Sequence, residues 1–490
     1  MKEQSPDEDT RRHVFIRTLH TKTAVMAMVM IAVLAGCTGG GSDRNKPAEV
    51  SAIKAGVAET IITPPVGTPM RGYRRLDVSK GVHDDLHARS LVIEGTGGDD
   101  QTTVVLMTLS LANLDHAFMN RIRAGVTEKT GIPGDNIVIS CTHTHSGPMV
   151  RDAESDYQEL LLERSVESAV SAWNNRVPAR IGTGTTEVTE LGRNDRRLGY
   201  GGLHPDPEVG IIKVEDTRGG LMGVAFIYGC HPSTLDLHNL DFTEDWPYYA
   251  IRGIRETVGD DVWVAYFQSA QGDIKVGYTA ELSAVGAEMP VRSFRYAEVK
   301  GNQMVDAVLE ALPEIAPAGD SLVGVVNGFF DYPLRTSCPV SLAEARQQER
   351  EANERLAERE KNAPILGKRV IDQAKVDVFL AELMVGWAQW IQDNPDPAPI
   401  SMRQQAILIG DAALVTFPVE VFSEIGLKVK QQSPYDKTFV IGIAGGHGGY
   451  LPTKEEFLEG GYAVLTSRYA PECEQVCIDA SLELIERLSR

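Results

Sequence analysis

Short apolar and β-branched runs alternate with helically patterned stretches through most of this chain, and Gly or Pro punctuates the junctions. The runs are Leu86 to Glu94, Thr102 to Leu111, Ile137 to Cys141, Ile211 to Glu215, Met222 to Tyr228 and Val262 to Gln268, with helical periodicity over Ser155 to Trp173 and Gly301 to Leu312. Unbroken apolar runs of this length read as buried strands, and strands alternating with helices predict an α/β domain of mixed β-sheets flanked by helices. A final α/β portion begins near Ser401, with strands expected at Gln405 to Ile409, Ala413 to Phe417 and Thr438 to Ala444.

One stretch breaks the alternation. Leu342 to Lys361 is dense in Glu, Arg, Gln and Ala, and Pro364 separates it from Val370 to Ile391, where Val376, Phe379, Leu380, Leu383 and Trp387 recur at helical spacing. This predicts a helical hairpin inserted at about 341–395, with a structural or lid role.

Residues 1–36 read as an export signal: Arg11, Arg12, Arg17 and Lys22 precede an apolar run from Ala24 to Ala35 that is short for a membrane span. Its end, Leu34-Ala35-Gly36-Cys37, resembles the bacterial lipobox, which implies lipidation of Cys37 and anchoring to the cell envelope. Residues 37–52 then form a flexible tether and 53–490 the folded domain. A net charge of −20 excludes nucleic acid as a partner. Five cysteines follow Cys37, an odd number, so at least one is free or pairs with another chain. Cys473 and Cys477 lack a second Cys/His pair and read as structural.

Chemistry collects where strands stop. Thr142-His143-Thr144-His145-Ser146-Gly147-Pro148 follows the run at Ile137 to Cys141, and two histidines at i and i+2 would leave an extended strand on one face. His231 follows Met222 to Tyr228, Glu420 follows Ala413 to Phe417, and the glycine-rich turn holding His447 and Tyr450 follows Thr438 to Ala444. Taken singly, each is as readily a satisfied polar residue at a strand end. Two histidines, a carboxylate and a water also make a catalytic zinc sphere, at the place where loops of α/β sheets converge on a crevice.

Together, the order and wording of these motifs resemble the neutral/alkaline, non-lysosomal ceramidases. The match runs through Ile61 to Tyr73, Gly81 to Ile93, Thr142 to Pro148, Asp206 to Asp216, His231, Gln271 to Asp273, Glu420 and Tyr450. The resemblance implies one zinc ion per chain held by His143, His231, Glu420 and Tyr450, activating water against the N-acyl amide of ceramide or a related compound. It implies proton transfer or oxyanion stabilisation by His145, and a phenolic donor in Tyr450. Asp245 and Asp273 match family positions and either orient the ligand histidines or serve as caps and turns; Arg196 lies in an element found near substrate; His83 reads as structural, and His447 is left outside the metal sphere. A Cys141–Cys230 disulfide is conceivable if their neighbouring histidines share a metal. The sequence departs from the family at Met149-Val150 and at Lys275-Val276, and it lacks the family's C-terminal immunoglobulin-like domain. The implied substrate is an amphiphilic or small N-acyl compound reached from a membrane anchor. The other readings are an amidase or esterase on a small polar metabolite, and a surface-binding lipoprotein without turnover. The oligomeric state is not legible.

Overall fold

The computed structural model describes residues 53–97, 100–152, 155–196, 202–319 and 322–488; the signal, Cys37 and the tether lie outside them. No described helix is long and apolar enough to cross a membrane. The larger sheet is built from β1 (Lys54–Ile61), β2 (His87–Gly97), β3 (Asp100–Leu109), β4 (Ile137–Cys141), β5 (Val177–Glu187), β6 (Glu208–Asp216), β7 (Leu221–Tyr228) and β8 (Trp263–Gln268), in the order β8-β7-β6-β5-β1-β2-β3-β4. The smaller holds β9 (Val323–Tyr332), β10 (Ile400–Ile409), β11 (Ala412–Thr416) and β12 (Lys437–Ile441) in sequence order.

Strand alternation sorts the core into layers. In β4, Ile137, Ile139 and Cys141 pack against α1 (His116–Thr130) and α2 (Ser155–Asn174), whereas Val138 faces the other way. That second face, with Leu91, Ile93, Leu106 and Ala225, packs directly on Ile407, Leu414, Phe439 and Ile441 of the smaller sheet. Helices α3 (Trp246–Val258) and α4 (Phe294–Ala311) cover the β7–β8 end, and α7 (Cys473–Leu488) covers the outer face of the smaller sheet. The result is helices, sheet, sheet, helices. Runs buried on both faces follow from that stacking. The predicted hairpin is present as α5 (Leu342–Lys361) and α6 (Lys368–Asp393), and no immunoglobulin-like domain occurs among the described residues.

Within these two sheets three strand pairs are parallel, β3 with β4, β7 with β8 and β11 with β12, and each is joined by a helical crossover. The chain leaves the C-terminal ends of β4, β7, β11 and β12 just before His143, His231, Glu420 and Tyr450 respectively. Backbone bonds draw these ends together: Cys141 N donates to Ile443 O (3.2 Å), Gly445 N to Ile139 O (2.9 Å) and Gly442 N to Gln268 O (2.8 Å). This is the edge at which α/β sheets gather ligand-binding loops.

Cys141 and Cys230 are both free and buried, so the conceived disulfide is absent. Burial pushes both thiols far above the ordinary cysteine range, which leaves them inert apolar fillers. Cys473 and Cys477 are likewise free on α7.

Candidate metal centre

β4 ends at Cys141, and His143 takes a left-handed backbone conformation (φ 69°), so the two histidines do not leave an extended strand on one face as their spacing suggested. A turn brings them together instead, with ring centroids 5.0 Å apart. Such a conformer costs about 1–3 kcal/mol in a side-chain-bearing residue and persists only when overdetermined. Here His143 N donates to Leu111 O (2.9 Å) and His145 N to Pro232 O (3.0 Å), while Thr144 Oγ1 donates to Thr243 O (2.7 Å).

His143 Nδ1 lies 2.6 Å from the Ala112 carbonyl and His231 Nδ1 lies 2.9 Å from the Ile274 carbonyl. A carbonyl only accepts, so both rings carry their proton on Nδ1 and turn the Nε2 lone pair toward the centre. Glu420 Oε2 stands 3.2 Å from His143 Nε2 and 3.4 Å from His231 Nε2. Despite these distances it makes no hydrogen bond, although Glu420 is only 4% exposed. An orphaned, buried carboxylate oxygen facing two lone pairs is a donor set that fits a cation.

His143, His145 and His231 also form a group whose nitrogens all lie within 4.8 Å of one another and could hold a metal ion. His145 differs from the other two: its Nδ1 is buried without a hydrogen-bond partner, and its Nε2 is 3.4 Å from His143 Nε2. Burial, then the neighbouring imidazoles and Lys275, hold His145 well below the ordinary histidine pKa. Tyr450 is placed by backbone pairing with Glu420. Burial and the Glu420 charge push its phenol well above the usual value, so it keeps its proton.

The second-tier candidates divide. Asp273 accepts from Ser423 N (2.7 Å), Ser423 Oγ (2.9 Å) and Asn194 Nδ2 (2.9 Å), pinning the Gly272 to Lys275 loop. Asp245 caps α3 and accepts from Thr234 N and Oγ1, fixing the loop after His231. Neither carboxylate bonds a candidate ligand histidine among the described contacts. Arg196 pairs with Glu456 and donates to Gly460 O (2.7 Å), so it holds the segment before Tyr462 and is not among the residues lining the cavity. His83 stacks on Phe294 and bonds Asp84, as a structural residue does.

His143, His145, Glu420, His447 and Tyr450 line a cavity of about 570 Å³, together with Arg71, Tyr73, Arg74, Lys275, Tyr278 and Tyr462. Phe379 and Leu383 bring α6 of the hairpin into its wall. Gly72 closes the other side with φ 107°, and a Cβ there would stand 2.4 Å from His145 Cα. Gly72→Ala is expected to cost about 1–3 kcal/mol in backbone strain. It should also displace His145 from its place beside His143; circular dichroism melting measures the loss of stability.

No protein-family model matches the chain. Among solved structures, the crystal structure of neutral ceramidase from Pseudomonas aeruginosa is similar with a TM-score of 0.68 and 19% identity, covering 89% of this chain and 75% of that one. A ceramidase complexed with C2 gives 0.66 and 19%, covering 89% and 76%. This chain has the neutral ceramidase fold.

Within the ceramidase fold, two residues assigned no role at the centre from sequence stand beside it: His447, left outside the metal sphere, and Lys275, a departure from the family pattern. His447 donates from Nε2 to Glu420 Oε1 (2.9 Å), so it orients the carboxylate from outside; its place three residues before Tyr450 was the available signal. Lys275 puts Nζ 2.9 Å from His231 Nε2 and 3.2 Å from Nδ1. A donor on the Nε2 lone-pair axis would be far more distant from Nδ1 than from Nε2, so Lys275 faces the ring without blocking that lone pair.

Proposed function

We propose that this chain is a metal-dependent amidohydrolase, with zinc the ion, that cleaves the N-acyl amide of ceramide or a related lipid. The observation that carries this is the orphaned Glu420 Oε2 between the Nε2 atoms of His143 and His231. Those three residues, with Tyr450 beside them, would hold the ion, and bound there it would supply Lewis acidity toward a carbonyl and lower the pKa of a water. His143 and His231 suit the role because a carbonyl fixes each Nδ1. His145 has no such support, which favours it as the proton carrier over a ligand.

The chain's own groups then divide the work. His145 is neutral at physiological pH, so it can take a proton from attacking water and pass it to the departing amine. Tyr450 retains its proton and can donate to the oxyanion. The acyl chain has a route outward: a second cavity of about 320 Å³ between α6 and the 465–468 segment, lined by Trp387, Trp390 and Leu465, shares Leu383 and Thr466 with the first. Export and a lipid anchor at Cys37 would keep the enzyme beside a membrane, which suits an amphiphilic substrate.

Fatty-acid release from a short-chain ceramide, before and after chelation, tests this reading. Release should fall at least about a hundredfold without metal and return with added zinc. Metal-dependent cleavage of small esters but of no acyl amide would favour the small-metabolite hydrolase. Binding without any turnover would favour the lipoprotein reading.

A further inference from the structure

Lys275 is only 3% exposed, lines the cavity, and has no carboxylate within ion-pair distance among the described residues. Its close partners are the His231 ring and the face of Tyr450, 5.7 Å from the ring centroid. A buried charge without a counter-ion is costly, and a protein keeps one where a ligand supplies the opposite charge. The rest of the lining agrees. Arg71 and Arg74 are exposed at the cavity and make no ion pair among the described residues, and the only carboxylate in the lining is Glu420, already committed to the histidines. A chain with a net charge of −20 thus lines this cavity with three cationic side chains and one carboxylate. A bound divalent ion would make the cavity more positive still.

Resting on the amidohydrolase reading above, we propose that the amine half of the substrate carries a carboxylate seated on Lys275, so that the preferred substrates are N-acyl α-amino acids. Lys275 reaches His231 itself, so the anion it meets must lie close to the scissile amide. A carboxylate on the carbon that bears the amide nitrogen meets that condition, whereas an anion at the end of a long headgroup would reach Arg71 and Arg74 instead. The reaction is balanced by water alone: the C–N bond breaks, hydroxyl adds to the acyl carbon and the proton goes to nitrogen, giving a fatty acid and an amino acid.

Calorimetric binding of a long-chain N-acylglycine and of the N-acylethanolamine of equal length isolates the carboxylate, and it needs no turnover. In the wild type the N-acylglycine should bind at least about tenfold tighter. In Lys275→Gln the two should bind alike. Lys275→Met serves as a second variant, expected to fold at least as well because it removes an unpaired buried charge. Equal affinities in the wild type, or a preference that survives in both variants, would overturn the proposal. Tight, Lys275-dependent binding with neither compound nor a short-chain ceramide hydrolysed would keep the carboxylate seat and overturn the amidohydrolase reading, so the two failures are distinguishable.

Discussion

His143→Ala is expected to remove bound metal and lower amide hydrolysis by about a thousandfold or more, the scale of losing the main electrostatic stabiliser of a transition state. The imidazole it deletes is held by the Ala112 carbonyl on Nδ1 and turns its Nε2 lone pair toward Glu420 Oε2. His447→Ala is the informative comparison, because that ring donates to Glu420 Oε1 and acts on the carboxylate's orientation. Loss of such an outer contact should weaken metal affinity by about ten- to a hundredfold and leave turnover measurable at saturating metal. Metal titration and initial rates on both variants read out the difference.

Arg89→Met is expected to destabilise the fold by about 3–5 kcal/mol, because it strands a buried carboxylate. Glu244 is 1% exposed and Arg89 is 3% exposed; Arg89 Nη1 donates to Glu244 Oε1 at 2.6 Å, and His87 and Ser110 bond the same oxygen. Burial would raise the Glu244 pKa, but the Arg89 guanidinium and His87 outweigh it and hold the carboxyl well below its usual range. The stability this confers is complete above the ordinary glutamate pKa and is lost as pH falls below it. Without Arg89, burial dominates and the sign reverses, so the gap between wild type and variant should narrow on acidification. Urea unfolding at neutral and acid pH checks both statements, and adding Glu244→Gln should recover much of the loss. The network matters to the site because Glu244 precedes Asp245, which fixes the loop after His231.

The strands legible from sequence were those buried on both faces, and β4 has the bounds its apolar run predicted. Three strands were not legible, β1, β5 and β9, for reasons that lie in their neighbours. Gly56 in β1 lets the backbone of α2 approach, since a Cβ there would meet Ala172 O at 2.1 Å. Gly182 and Gly184 in β5 make room for Ile315 and Ala316. Close packing that demands glycine erases the β-branched signal that reveals a strand. At the site, His143, His231, Glu420 and Tyr450 stood out because each follows a strand end. Lys275 and His447 were named from sequence without a role, since a buried lysine and a glycine-flanked histidine acquire meaning only once three crossovers bring their loops together.

Elemental analysis of the purified protein tests the account most directly, because every catalytic statement depends on a cation between His143, His231 and Glu420. The account predicts about one zinc ion per chain, removable by chelation, restored on dialysis against zinc, and lost in His143→Ala. A protein that is purified without metal and takes up none from zinc-containing buffer would contradict it.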